Sequence, residues 1–114
     1  MISTDSIHFQ VTRIKGHTLF IRSARMQRFL DFTVAQYLAG KTDEIKEYVI
    51  GVEVFDRPVT HDPRIDPIVR VEARRLREKL RAFYESEGVG DELLIEYPTG
   101  SYVPRISLRI RAVA

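Results

Sequence analysis

Arg70, Arg74, Arg77 and Arg81 recur at i, i+4, i+7 and i+11, the spacing that lines side chains along one side of a helix. Arginine in this pattern is built to hold anions. Its planar guanidinium matches phosphate oxygens, and it reads the O6/N7 edge of guanine in a bidentate way. Each phosphate neutralised also releases counterions, so such binding weakens steeply with salt. Between residues 68 and 82 stand Arg70, Arg74, Arg75, Arg77, Lys79 and Arg81 against Glu72 and Glu78, a net +4. The rest of the chain holds twelve basic and fourteen acidic residues, a net −2, so the total of +2 conceals one strongly basic segment in a slightly acidic body. The bland alternative is a solvated helical face. Glu72 and Glu78 can each pair with an Arg three or four residues away for about 0.2–0.5 kcal/mol. Lysine would serve solubility equally well, yet five of the six basic residues are Arg.

Other chemistry lacks its residues. His8, His17 and His61 are the only histidines, and none forms an H-x-x-x-H pair. His61 sits beside Asp62-Pro63 and reads as a turn residue rather than half of a catalytic or metal site. Asp56, Asp62 and Asp66 lack the glycine and terminal glutamate of a calcium loop. Ser23 has no nucleophile-elbow context. Gly88-x-Gly90 follows a helix and precedes a strand, the reverse of a phosphate-binding turn. The absence of cysteine removes disulfides, thiolate zinc sites and cysteine nucleophiles, and fits a reducing cytoplasm. No catalytic residue, metal ligand or cofactor is therefore expected, and the chain does not read as an enzyme. No apolar run approaches the roughly 18 residues of a spanning helix. Met1-Ile2-Ser3-Thr4-Asp5 has neither a basic nor an apolar leader region, so the expected location is cytoplasmic, without a membrane partner.

The elements that must carry the arginines follow from periodicity. A chain of 114 residues is one domain's worth, with enough length for one ordinary core. Residues 67–86 form the clearest helix: Val69, Ala73, Leu76, Leu80 and Phe83 make an apolar stripe. The arginine ridge lies roughly 110° from that stripe at about 100° per residue. Asp66-Pro67 supplies a cap and a first helical residue. Gly88 and Gly90 end the helix. A second helix covers 24–39, with Ser23 as N-cap, Gly40 as stop, and Met26, Phe29, Leu30, Thr33, Val34, Tyr37 and Leu38 on one face. A third covers about 45–55 through Ile45, Val49, Val52 and Phe55, with Asp43 and Glu44 near its positive end. Residues 56–66 read as a loop, with two prolines and three aspartates. In residues 1–22, Ile7, Phe9 and Val11 alternate as in a strand, while Ile7, Val11 and Ile14 fit a helix; both remain open.

After the basic helix, Leu93 to Tyr97 reads as a strand, Pro98-Thr99-Gly100-Ser101 as a turn, and Tyr102 to Ile110 as a returning strand. In that strand Ile106, Leu108 and Ile110 alternate with Ser107, Arg109 and Arg111. Pro104 needs an edge position or a bulge. Three helices followed by a hairpin outline an α+β fold: a winged helix-turn-helix with a three-helix core and a C-terminal β-hairpin wing. It spans residues 23–111 after the N-terminal segment 1–22.

The run Val69-Arg70-Val71-Glu72-Ala73-Arg74-Arg75-Leu76-Arg77-Glu78-Lys79-Leu80 resembles the recognition helix of OmpR/PhoB-type winged-helix domains, and Gly100-Ser101-Tyr102 stands where that family has its Gly-x-Tyr wing signature. A longer likeness covers residues 20–104. It includes Lys46-Glu47-Tyr48-Val49-Ile50-Gly51-Val52-Glu53-Val54-Phe55, Asp66-Pro67-Ile68-Val69-Arg70-Val71-Glu72 and Pro98-Thr99-Gly100-Ser101-Tyr102-Val103-Pro104. These segments are similar to a bacterial winged-helix domain found fused to tetratricopeptide or cyclase-like proteins or standing alone as a small regulator. The resemblance implies that Ile68, Arg70, Val71 and Arg75 face bases and that Glu72, Arg74 and Arg77 lie near phosphates. Thr99 and Ser101 at the hairpin tip would approach backbone or minor groove. Glu72 departs from the neutral or basic residue usual at its position; it would repel phosphate unless it accepts from a cytosine amino group or orients a neighbouring Arg. The 56–66 loop matches the segment that contacts RNA polymerase in response regulators; a contact there with polymerase or a regulatory protein, and a purely packing role, both stand open.

The expected function is sequence-specific binding of double-stranded DNA by a transcriptional regulator, with repression the simpler mode. Helix 67–86 would read the major groove and the 97–104 wing would touch backbone or minor groove. No receiver domain is read in these residues, so control is expected through expression level, oligomerisation or a partner. A small domain gains specificity by pairing on repeated half-sites, so a weak homodimer, or a dimer formed on DNA, is expected. The alternative is a protein–protein interaction module that uses the same helix and wing. RNA binding is weaker still, because no aromatic stacking platform is visible.

Overall fold

The computed structural model describes residues 2–109. Within them the chain forms four α-helices and one two-stranded antiparallel sheet: α1 (Thr4–Lys15), α2 (Ala24–Leu38), α3 (Glu47–Glu53), α4 (Ile68–Glu85), β1 (Leu93–Glu96) and β2 (Arg105–Leu108). Short 3₁₀ turns occupy Thr42–Glu44 and Glu87–Gly90. The architecture is α+β. The expected count of three core helices is corrected to four, because the N-terminal segment folds as α1 into the common core.

The ambiguity in that segment resolves through its partners. Ile7, Val11 and Ile14 are buried, whereas Phe9, which a strand would have placed with Ile7 and Val11, is 67 % exposed. Ser3 caps the helix by accepting from the Ser6 amide. Gln10 is the polar residue on the buried side. Its amide donates to the Tyr84 hydroxyl at 3.3 Å and to Asp91 at 2.9 Å. Arg13 donates from two nitrogens to the same carboxylate at 3.0 and 2.9 Å. Burial alone would push Asp91 up, but the Arg13 and Gln10 hydrogen bonds outweigh it and hold the carboxyl below the usual range. The Tyr84 hydroxyl in turn donates to the Leu93 carbonyl and accepts from the Ile95 amide, both at 2.9 Å. One polar chain thus ties α1, the end of α4 and β1 together, with its buried groups paired as burial demands.

Helix α2 ends at Leu38, one residue before the expected end, and of the expected face Tyr37 and Leu38 are only half-buried. Ser23 accepts from the Met26 amide as N-cap, and Met26, Phe29, Leu30, Thr33 and Val34 are buried. The next helix is shorter than expected. Asp43 and Glu44 lie in the 3₁₀ turn, not in the first helical turn, and α3 covers Glu47–Glu53. Ile50 and Gly51 are its buried residues, with Ile45, Val54 and Phe55 buried just outside the helix; Val49 and Val52 are half-buried. Apolar residues at 49, 50, 52, 54 and 55 fit more than one period and fix no single face, so docking selects it.

Helix α4 buries all five residues of the expected stripe, together with Glu72 and Tyr84. The start is shifted by one residue: Pro67 occupies the cap position and the Asp66 carboxylate accepts from the Ile68 amide at 3.1 Å. Phe20, Phe29, Phe83, Leu76 and Ile95 sit at the centre of the core with essentially no exposure, each worth about 1.5–3 kcal/mol in transfer terms. Phe29 meets Phe55 and Tyr97 edge-on at ring separations of 5.7 and 6.3 Å.

In the hairpin Leu93 pairs with Leu108 and Ile95 with Ile106. Both strands are shorter than expected, and Pro104 falls just before β2, where its missing N–H breaks no ladder bond. Leu108 is 58 % exposed instead of lining the core, because β2 is the outer strand while β1 packs on α1 and α4. The expected strand positions Ile110 and Arg111, and the domain end at 111, lie outside the described residues. Among those residues no helix is long and apolar enough to cross a membrane.

Candidate nucleic-acid interface

Burial of the α4 stripe turns Arg70, Val71, Arg74, Arg75 and Arg81 outward, all of them exposed. Ile68 is half-buried at the helix start. The hairpin turn comes up beside the helix. Gly100 holds φ 84°, a left-handed conformation that a Cβ disfavours, and this lets the turn reverse tightly. Between helix and turn runs an open groove of about 420 Å³, lined by Arg70, Arg74, Arg77, Glu78, Arg81, Thr99, Gly100 and Tyr102. The four ridge arginines and the turn therefore form one continuous surface.

The arginines are not equivalent. Arg70 donates to Glu47 at 2.6 Å and to the Pro63 carbonyl at 3.0 Å. That pins the start of α4 to α3 and to the 56–66 loop. Arg75 donates to Glu72 at 2.9 Å; the acid is buried and the guanidinium is mostly exposed. Arg77 is half-buried and donates to the carbonyls of Tyr97, Pro98 and Ser101 at 3.0, 3.4 and 2.9 Å. It uses three of its five N–H donors to hold the hairpin turn. Lys79 donates to the Leu19 carbonyl at 3.0 Å. Arg74 and Arg81 make no hydrogen bond or ion pair among the described residues. Carbonyl partners leave the charges of Arg77 and Lys79 in place, whereas Glu47 and Glu72 partly offset Arg70 and Arg75.

The 56–66 loop is ordered by its own charges. Asp56 pairs with Arg28, Asp62 with Arg64 and Asp66 with Arg57, and each partnership lowers the carboxyl below its ordinary range. His61 stacks on Tyr48 at 5.0 Å and bonds the Pro58 carbonyl. Gly51 makes room for that ring: a Cβ there would lie 2.6 Å from the imidazole Nε2. Val59 and Ile65 project from the loop, 72 % and 81 % exposed.

Of the expected site residues, Arg70, Arg74, Arg77 and Thr99 meet in the groove. Ser101 adjoins it through its carbonyl on Arg77 and uses its hydroxyl to accept from the Val103 amide at 3.1 Å. Val71 and Arg75 lie on the outward face beyond, and Ile68 at its start. Glu78, Arg81, Gly100 and Tyr102 complete the lining. Arg81 was legible in the i, i+4, i+7, i+11 spacing, and Tyr102 in the Gly-x-Tyr run. Glu47, the partner of Arg70 from 23 residues away, had no local signal. Among the described residues no three His, Asp or Glu side chains gather as a metal site would require. No family model, curated protein or solved structure matches the chain.

Proposed function

We propose that this chain is a winged helix-turn-helix transcriptional regulator of the OmpR/PhoB-like kind that binds double-stranded DNA in a sequence-specific way. Helix α4 enters the major groove, and the turn after β1 acts as the wing on backbone or minor groove. Val71 and Arg75 meet base edges, with Ile68 and Arg70 near the start of the helix. Arg74 and Arg81 meet phosphates. Repression by occlusion of a promoter is the simpler mode, since it needs no activating surface. Val59 and Ile65 on the 56–66 loop offer a contact for polymerase or a regulatory protein.

One observation carries this reading: the groove in which the arginine ridge of α4 faces Thr99, Gly100 and Tyr102 of the hairpin turn. A ridge on a helix alone is a common solvated surface. A ridge joined to a second element forms a track for a polyanion. The competing reading, a protein-interaction module, draws on Glu47 and Glu72, which partly neutralise Arg70 and Arg75.

Selection from a random duplex library, followed by fluorescence anisotropy of the winner at two salt concentrations, tests the proposal. An enriched motif with a steep salt slope is the expected result. Weak binding without a motif would overturn it in favour of a protein partner.

A further inference from the structure

Helix α1 has an outer side that the core does not use. Phe9 stands 67 % exposed at its middle. A single exposed Phe is unremarkable by itself. This one lines an open groove of about 690 Å³ between α1 and β1, together with Asp5, Arg13, Asp91, Glu92 and Leu93. Asp5, Phe9 and Arg13 follow at i, i+4 and i+8, which is one ridge of the helix. The ridge is negative four residues before Phe9 and positive four residues after it.

That pattern is self-complementary. A two-fold axis at Phe9 makes two copies of α1 antiparallel and sets Asp5 against Arg13 of the partner subunit, twice. Each pair lies about 6 Å along the helix from the crossing, within reach of an arginine side chain. A parallel arrangement would oppose like charges. Arg13 is already oriented: Nε and Nη2 bond Asp91, which leaves Nη1 for a second carboxylate. We infer that this face of α1 is the interface for a second copy of the chain, in an antiparallel isologous pair, with the two Phe9 side chains packed on each other at the axis. Phe9 supplies the apolar burial. The exposed charge pairs add little affinity and set the orientation. Apart from backbone continuity the interface shares nothing with the DNA reading, since none of its residues lines the groove between α4 and the hairpin turn.

The test is sedimentation equilibrium of the full chain without DNA over roughly 10–500 µM, the range in which a small weak interface is populated. Wild type is expected to fit a monomer–dimer equilibrium. Phe9→Glu and Asp5→Arg are each expected to weaken it about tenfold or more. Both positions are exposed, so both variants should stay folded by circular dichroism, with Asp5→Arg melting slightly lower because it reverses a charge in the first turn of α1. A wild type that stays monomeric over that range overturns the inference, as does a Phe9→Glu variant that dimerises like wild type. An Asp5→Arg variant without effect overturns the antiparallel arrangement.

Discussion

The Arg77 guanidinium on α4 donates to the Ser101 carbonyl in the hairpin turn at 2.9 Å, and two further bonds to Tyr97 and Pro98 complete the grip. The side chain therefore sets the distance between helix and turn. Arg77→Ala is expected to destabilise the fold by about 1–3 kcal/mol, since it strands partly buried carbonyls. Arg77→Lys should recover only part, because an ammonium lacks the fixed fork that spans three acceptors. Amide exchange would check this. Faster exchange, largest in the hairpin, is expected; unchanged hairpin protection in Arg77→Ala would refute the latch.

Glu72 and Arg75 form the second such pair, a buried acid holding an exposed guanidinium. On the proposed function, Arg75→Ala should cost about 1–3 kcal/mol on the selected site and relax specificity. Glu72→Gln should lower discrimination against mismatched sites while leaving binding to random duplex equal or stronger, since it removes a negative charge and frees the Arg75 rotamer. Anisotropy with cognate and single-mismatch duplexes measures this. Retained discrimination in both variants would mean that Arg75 reads no base.

Arg74 and Arg81 have no hydrogen-bond or ion-pair partner among the described residues, and on the proposed function they meet phosphate. Arg74→Ala and Arg81→Ala should each weaken all duplexes alike and reduce the salt slope by about 1. Slopes of log K against log salt for the two variants decide it; wild-type slopes would remove both residues from the phosphate set.

Gly51 and His61 give a prediction independent of DNA. Alanine is the better helix former by about 0.8–1.0 kcal/mol. Yet Gly51→Ala should destabilise, by about 1–3 kcal/mol, because the new methyl displaces the half-buried His61 ring and its stack on Tyr48. Denaturant titration reads the net sign. A stabilised Gly51→Ala protein would show that the loop does not rest on α3 as described.

Burial pushes the Tyr97 phenol far up, opposed only in part by the hydrogen bond it shares with Thr33 at 2.5 Å. The folded protein then keeps a proton that the unfolded chain releases near pH 10. The unfolded state binds fewer protons there, so stability falls as pH rises above about 10. Below that range the contribution is fully present. Tyr97→Phe should narrow the stability difference between pH 7 and 11, about the two sides of the unfolded value. Equal losses in both proteins would assign the alkaline sensitivity elsewhere.

Much of this organisation was local and therefore legible. The α4 stripe, the arginine ridge at fixed angle to it, the Ser23 cap and the turn at Pro98–Ser101 depend on residues within a few positions of one another, where helical period and turn stereochemistry act directly. The element class of residues 4–15 was not legible, because Ile7, Phe9 and Val11 satisfy two periods at once. It was settled by Gln10 meeting Tyr84 and Asp91, 74 and 81 residues away. The same holds within the interface. Sequence alone put six basic residues on one helix; docking decided that Arg70 is paired to Glu47, that Arg77 is bound to the hairpin turn, and that Arg74 and Arg81 find no partner among the described residues. Periodicity determines which side of a helix faces the core. The partner of a long polar side chain depends on which element packs beside it, and that relation belongs to the tertiary structure.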